Sequence, residues 1–304
     1  MRETERRGTL IKVEHLTKSY GPGKGVFDLS FEVKEGEIFG FIGPNGAGKT
    51  TTIRHLLGFI QPDSGSTSVN DLDSFKYASF IQKNLGYLPG EIAFFNQMRG
   101  IEFLNFLAKM RGMKSKSKMN DLIDFLDLDV SGKIKKMSKG MKQKLALVAA
   151  FMHDPEILIL DEPTSGLDPL MQVKFVELIL KEKKRGKTIL MSSHSFEEIE
   201  RTCDRALIIK LGKLVTLEDI RKLKEQRRKA YTVTFESLDD IEKIKQDGFE
   251  IIDRGTNTCE VIVSGDINTF FRVLSKYNIL AFDVMNQSLE EIFLNYYKED
   301  VENE

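Results

Sequence analysis

Gly43-Pro44-Asn45-Gly46-Ala47-Gly48-Lys49-Thr50 fits the spacing G-x-x-x-x-G-K-[ST], the signature of a phosphate-binding loop. Glycines free the backbone to turn its N–H groups inward on phosphate oxygens. Lys49 has the reach to meet the β and γ phosphates of a nucleotide, and the Thr50 hydroxyl can ligate Mg²⁺. The motif works only between a strand and a helix. Glu37 to Ile42 (EIFGFI) reads as a short buried strand, and Ile53, Leu56, Leu57 and Ile60 recur at helical spacing between Thr50 and Ile60.

Two further stretches carry chemistry. Ile157-Leu158-Ile159-Leu160-Asp161-Glu162 is an apolar run ending in two carboxylates, as a buried parallel strand does where its C-terminal end opens on a ligand crevice. Alternation along a strand points Asp161 and Glu162 opposite ways, which suits one to Mg²⁺ and the other to a water. A second strand, Thr188 to Ser192, ends at Ser193 and His194 and delivers an imidazole to a strand end. Met137-Ser138-Lys139-Gly140-Met141-Lys142-Gln143 precedes the apolar helix Leu145 to Met152, so Ser138 is placed to cap a helix whose N-terminus is a ready anion site.

The elements that position these residues follow from periodicity. Residues 9 to 42 alternate apolar and polar positions and predict an antiparallel ladder. Tyr20 stands beside the turn Gly21-Pro22-Gly23, where its ring is placed either to pack or to stack on a base. Leu85 to Glu91 (LGYLPGE) reads as a strand running into a loop. Helical periodicity then extends from Met98 to about Leu128, with Lys114, Lys116 and Lys118 as a solvated basic run. After Pro163 comes the turn Ser165-Gly166-Leu167-Asp168-Pro169, and residues 170 to 184 are helical by pattern.

Composition bounds the function. A chain of 304 residues suggests two domains, and 45 basic against 46 acidic residues argue against nucleic-acid binding driven by overall charge. Cys203 and Cys259 lack metal-ligand spacing, Met1 to Arg7 has no apolar stretch, and the longest apolar run, Leu145 to Met152, is far short of the about 20 residues of a membrane span. A cytoplasmic location is expected.

A phosphate loop, a Ser-x-Gly segment, an ILILDE strand, an SGLD turn and a strand-end histidine, in that order, resemble the ATP-binding domain of ABC transporters over roughly residues 9 to 217. The resemblance implies an α/β P-loop NTPase core with an antiparallel β subdomain and a helical subdomain at about 92–155. It also implies two such domains meeting head to tail, each ATP lying between one phosphate loop and the other's signature segment. Tyr20 would stack on adenine; Gly43, Asn45, Gly46, Ala47, Gly48, Lys49, Thr50 and Thr51 would hold the phosphates; and Thr50 and Asp161 would serve Mg²⁺. Glu162 would polarise the attacking water and His194 would contact the γ-phosphate. Ser138 and Gly140 would close the partner's site, and Asp168 would lie at the dimer seam.

Two positions depart from the family pattern. Leu-Ser-Gly-Gly-Gln is replaced by Met137-Ser138-Lys139-Gly140-Met141, and the glutamine expected after the LGYLP strand is Gly90 followed by Glu91. Glu91 is then either the nearest candidate to supply the missing oxygen to the metal or a solvated loop residue, with water taking the place of the ligand. The SKGMKQK segment and the long tail look most like the bacterial export branch, including antibiotic and multidrug exporters. The tail reads as a highly charged, solvated helix or linker at 218–230 followed by β-α-β-β-α-β, a small ferredoxin-like α+β domain at 231–304, with a last helix from Leu289 to Tyr297. The expected function is the ATP-hydrolysing subunit of an exporter, peripheral on the cytoplasmic face of the membrane. It would need a separate transmembrane permease and a second ATP-binding subunit, and no nucleic acid. The competing reading is a soluble relative acting on ribosomes or DNA. Such proteins commonly fuse two ATPase domains or carry a long coiled-coil insert, and this chain has one phosphate loop and no sustained heptads. A nucleotide sensor without catalysis is disfavoured by Glu162.

Overall fold

Alternating side chains build the first layer. In the computed structural model, which describes residues 8–225, 229–255, 257–263 and 266–286, β1 (Thr9–Ser19) pairs antiparallel with β2 (Gly25–Lys34). Ile11 and Val13 point inward while Lys12 and Glu14 face out. Strict alternation would then expose Leu16. A register shift after Val13, with His15 at φ 49°, takes up one residue and turns Leu16 into the core at 0% exposure. β3 (Ile38–Ile42) leaves this layer for a second sheet, and α1 (Lys49–Leu56) follows the phosphate loop. The helix is shorter than its apolar spacing suggests, because Gly58 at φ 67° ends it. β4 (Ser64–Val69) and β5 (Leu72–Asp73) return to the first sheet, which runs β2-β1-β4-β5.

The second layer is a mostly parallel sheet. After α2 (Ala78–Asn84) and β6 (Leu85–Leu88) come three helices, α3 (Gly100–Met110), α4 (Ser117–Phe125) and α5 (Lys139–Phe151). The periodic region from Met98 to Leu128 comprises two of these helices, separated at Gly112, whose φ is 63°. β7 (Ile157–Asp161), α6 (Pro169–Lys184), β8 (Thr188–Ser193), α7 (Phe196–Thr202), β9 (Arg205–Lys210) and β10 (Lys213–Asp219) complete the unit. The sheet order is β10-β9-β3-β8-β7-β6, parallel except for β10. Every residue of β3, β7 and β8 is buried, so each is covered on both faces, and each large apolar side chain there contributes about 1.5–3 kcal/mol. Register then fixes the site. Ile42 lies opposite Ser193 and Asp161 opposite Ser192, so the C-terminal ends of three neighbouring strands open together.

Residues 218–230, expected as a solvated helix or linker, hold the end of β10, then the helix α8 (Ile220–Glu225) and the start of β11 (Lys229–Phe235). The charge outweighed a shorter signal. Ile220 and Leu223, three residues apart, are both buried. The chain divides into two compact units, Met1–Ile220 and Arg221–Glu304. In the second, β11, α9 (Asp239–Gln246), β12 (Glu250–Asp253), β13 (Thr258–Val263), α10 (Ile267–Leu274) and β14 (Ile279–Asn286) form an antiparallel sheet ordered β12-β13-β11-β14 around Val233, Phe235, Val261 and Phe270. The helix expected from Leu289 to Tyr297 lies outside the described residues. Among the described residues no helix is long and apolar enough to cross a membrane.

Lys118 is not part of a solvated run. It sits in α4 and reaches Asp154 at 2.6 Å and the buried Glu182 of α6 at 3.0 Å, while Arg185 bonds the same two carboxylates at 2.7 and 2.8 Å. Burial pushes the Asp154 carboxyl up, but the bonds from Arg185 and Lys118 outweigh it and hold the group well below the ordinary carboxylate range. A depressed carboxylate stabilises the fold above its unfolded value of about 4 and loses that contribution as pH falls through the folded value. Asp154→Asn is expected to cost about 1 kcal/mol at pH 7, allowing for solvent screening of a half-exposed group, with the difference shrinking below pH ~4. Urea unfolding at several pH values checks this, and a pH-independent difference would contradict it.

Candidate functional site

The loop between β3 and α1 closes on its own lysine. Gly46 and Gly48 take φ values of 82° and 112°, which a side chain would strain, and a Cβ at Gly43 would lie 2.5 Å from the Ile209 carbonyl oxygen. This lets the chain wrap around Lys49, the first residue of α1, which is only 6% exposed. Its Nζ donates to the Gly43 carbonyl at 2.6 Å and lies 3.1 Å from Glu162 Oε1 as an ion pair. Thr50 Oγ1 donates to Asp161 Oδ2 at 2.8 Å.

Asp161 and Glu162 meet this loop by different means. Asp161 closes β7 at 1% exposure, and its second oxygen accepts a hydrogen bond from Ser192 Oγ. Glu162 does not continue the strand: its φ is 50°, so alternation stops and both carboxylates serve one site, where the sequence pattern set them on opposite faces. The Glu162 N–H donates to Ser192 Oγ at 3.0 Å, and its Oε2 accepts from His194 Nδ1 at 2.6 Å. A carboxylate only accepts, so Nδ1 carries the hydrogen of this bond, and the ring is two-thirds exposed. An ammonium, two carboxylates, a hydroxyl and an imidazole thus converge at the C-terminal ends of neighbouring strands. That set can bind a polyphosphate and activate a water beside it.

The donors fit Mg²⁺. Thr50 Oγ1 and the Asp161 carboxylate are hard oxygen ligands already 2.8 Å apart, and Mg²⁺ takes one or two protein oxygens with phosphate and water for the rest. Among the described residues no cluster of three or more His, Cys, Asp or Glu offers a full protein cage.

Other expected site residues stand outside this contact set. Tyr20 follows β1 with its ring 55% exposed. Ser138 caps α5, its Oγ accepting from the Met141 N–H at 3.2 Å. Gly140 packs on the turn after β7, where a Cβ would lie 3.0 Å from the Gly166 carbonyl oxygen, and Asp168 caps α6 by accepting from the Met171 N–H at 3.0 Å. Thr51 lies half-buried in the first turn of α1. Glu91 is exposed, and the structure does not bring it to Asp161; the residue that touches Asp161 is Gly90, whose Cβ would stand 3.1 Å from Asp161 Oδ2. One residue further along the loop, Glu91 has open solvent to face.

Two contributors were missed. Ser192 ties Asp161 to Glu162, and its only signal was a hydroxyl two positions before the strand-end histidine. Gln143 is 4% exposed in α5 and donates to the Pro163 carbonyl at 2.8 Å, joining the signature helix to the turn after Glu162. Its signal was an amide on the buried face of an apolar helix.

Comparisons with known proteins agree with this geometry. The model of the ABC transporter family matches residues 26–165. The bacitracin transport ATP-binding protein BcrA of Bacillus licheniformis is 36% identical over 296 residues, spanning 94% of this chain and 96% of that protein. The linearmycin resistance ATP-binding protein LnrL of Bacillus subtilis is 31% identical over 305 residues, spanning 94% and 97%. A solved structure of the ATP binding subunit of an ABC transporter superposes with a TM-score of 0.65 at 31% identity, covering 72% of this chain and 93% of that one.

Gly90 generates a prediction. A methyl group there forces the Asp161 carboxylate to give by a few tenths of an ångström, against its bonds to Thr50 and Ser192. Gly90→Ala should destabilise the chain by about 1 kcal/mol, as mild overpacking does. It should also weaken the Mg²⁺ dependence of nucleotide binding. Unchanged urea midpoint and unchanged Mg²⁺ titration would show that the carboxylate has room.

Proposed function

The chain belongs to the ABC transporter family of ATP-binding proteins, and from that premise we propose that it is the ATP-hydrolysing subunit that powers a membrane exporter. The observation that carries the reading is Glu162 held between Lys49 at 3.1 Å and His194 at 2.6 Å beside the Thr50–Asp161 pair. Lys49 and the N–H groups of the glycine loop bind the triphosphate, and Lys49 neutralises charge that builds on it as the terminal bond breaks. Glu162, an acceptor-only carboxylate, takes the hydrogen of the attacking water and aligns its lone pair in line with that bond. His194 orients Glu162 through Nδ1, and its exposed ring leaves Nε2 available to donate to the terminal phosphate when it too carries a hydrogen. Thr50 and Asp161 would hold Mg²⁺, which when bound would supply positive charge to offset that of the phosphates.

The assembly is read from the same residues. Ser138, Gly140 and Asp168 stand outside the Lys49 contact set, which fits a role in closing the site of a second subunit head to tail, and exposed Tyr20 is available to stack on adenine. Relatives named for bacitracin transport and linearmycin resistance match nearly the whole chain and support the export reading. Without a helix fit to cross a membrane among its described residues, the chain would reach the cytoplasmic face of the membrane through a separate permease. We read the second unit as ferredoxin-like, from its β-α-β-β-α-β order and its sheet order β12-β13-β11-β14, and as an accessory module with no part in the phosphate site.

Lys49→Ala should raise the dissociation constant for ATP at least tenfold, about 1.4 kcal/mol. Glu162→Gln should keep ATP affinity and lose turnover by about 100-fold, since it removes only the acceptor of the water's proton. Near-normal turnover in purified Glu162→Gln protein would sink the reading. A chain ending at Ile220, the limit of the first unit, should still bind ATP with wild-type affinity in a fluorescent-nucleotide titration; loss of binding in a folded truncation would give the second unit a share in the site.

A further inference from the structure

Glu198 has no part in the chemistry described so far, yet it joins the two segments that carry it. It lies in the first turn of α7, and its side chain is 8% exposed. Oε2 accepts from Ser193 Oγ at 2.5 Å and from Thr164 Oγ1 at 3.3 Å. Ser193 immediately precedes His194, and Thr164 stands two residues beyond Glu162. The helix itself is anchored, with the Ser195 side chain accepting from the Glu198 N–H and Thr202 Oγ1 donating to the Glu198 carbonyl at 2.7 Å. Glu198 and Thr164 also line a cavity of about 260 Å³ that His194 shares.

A carboxyl is an expensive group to place there. Among the described residues no cation pairs with it, and Oε1 is buried without a hydrogen-bond partner. Burial pushes its pKa up to about 7 despite the two hydroxyl donors, and the neighbouring Glu162 charge adds to the rise. An apolar side chain of similar volume would fill the space without that cost. What it could not do is accept at once from two hydroxyls, one at the end of β8 and one in the turn after β7.

We propose that Glu198 is a positioning residue for ATP hydrolysis, its carboxyl oxygen holding Ser193 against Thr164 so that the loop ending in His194 and the turn that begins at Glu162 keep one mutual placement. The proposal rests on the reading of the chain as an ATPase with Glu162 and His194 at the phosphate. Binding should be insensitive to Glu198, because Lys49 and the glycine loop do not touch it. Turnover should not be, because a water held by Glu162 reacts only when it is aligned on the phosphate.

Steady-state ATP hydrolysis and fluorescent-nucleotide binding by the full-length chain separate these cases. Glu198→Ala should lower kcat tenfold or more and leave the ATP dissociation constant within twofold. Glu198→Gln, whose amide oxygen accepts the same two hydroxyls, should recover at least half of the wild-type kcat. A purely structural role would instead lower the melting temperature without changing kcat in the folded fraction. Should Glu198→Ala fail to fold, Ser193→Ala and Thr164→Val each remove one of the two bonds and should each lower kcat at least threefold. A kcat within twofold of wild type in Glu198→Ala, or in both single-bond variants, overturns the proposal. So does a Glu198→Gln protein no better than Glu198→Ala. If the wild-type chain itself turns over no ATP, the functional reading falls and this inference with it; an active wild type with indifferent variants removes this inference alone.

Discussion

A buried ammonium group sets the terms for the rest of the site. At 6% exposure Lys49 keeps its charge only if oxygen atoms replace its lost water, and two separate segments provide them: the Gly43 carbonyl from its own loop and the Glu162 carboxylate from the end of β7. The first demand explains the loop, since the chain must fold back over its own lysine, and positive φ at Gly46 and Gly48 makes that path available. The second explains the sheet. Glu162 is 113 residues further along the chain and meets Lys49 only because β7 lies beyond β8, next to β3, with all three strands parallel and ending together.

Local signals were legible in the sequence and long-range partners were not. The glycine loop, the apolar run of β7, the serine cap of α5 and the helix after Pro169 each depend on residues a few positions apart, and each is read directly from pattern. Ser192, Gln143 and Glu198 matter because the fold brings Asp161, Pro163 and Thr164 to them from far along the chain. Lys118 illustrates the same limit. Its basic neighbours suggested a solvated run, while its actual partners, Asp154 and Glu182, arrive from the loop before β7 and from α6. In residues 218–230 the charged helix is present as α8, but six basic residues between Arg221 and Lys229 hid the burial of Ile220 and Leu223.

Position 90 shows how a departure from a family pattern is absorbed. Where a glutamine is expected, glycine brings the backbone within a methyl group's reach of Asp161, and the next carboxylate, Glu91, turns to solvent. The loop does not compensate by sliding one residue. Sliding would bring a second acidic group toward Asp161, and like charges at close range in a partly buried site repel. With Thr50 and Ser192 already occupying both oxygens of Asp161, the carboxylate is satisfied without a contribution from residue 90.

The adjacent pair Asp161 and Glu162 poses the sharpest geometric problem, since neighbours on an extended strand face opposite sides of the sheet. The chain solves it by ending the strand between them. Glu162 at φ 50° costs about 1–2 kcal/mol relative to an extended backbone, and a non-glycine residue holds such a conformation only where its surroundings determine it. Here they do. The Glu162 N–H is fixed by Ser192, its carboxylate by Lys49 and His194, and the following carbonyl by Gln143. Those contacts come from β8, α1, the loop after β8 and α5, so four elements converge on one strained residue. A relaxed backbone at 162 would carry the carboxylate to the opposite face of the sheet, away from the lysine that neutralises it and the histidine that orients it. The strain is therefore tied to the same contacts that assemble the site.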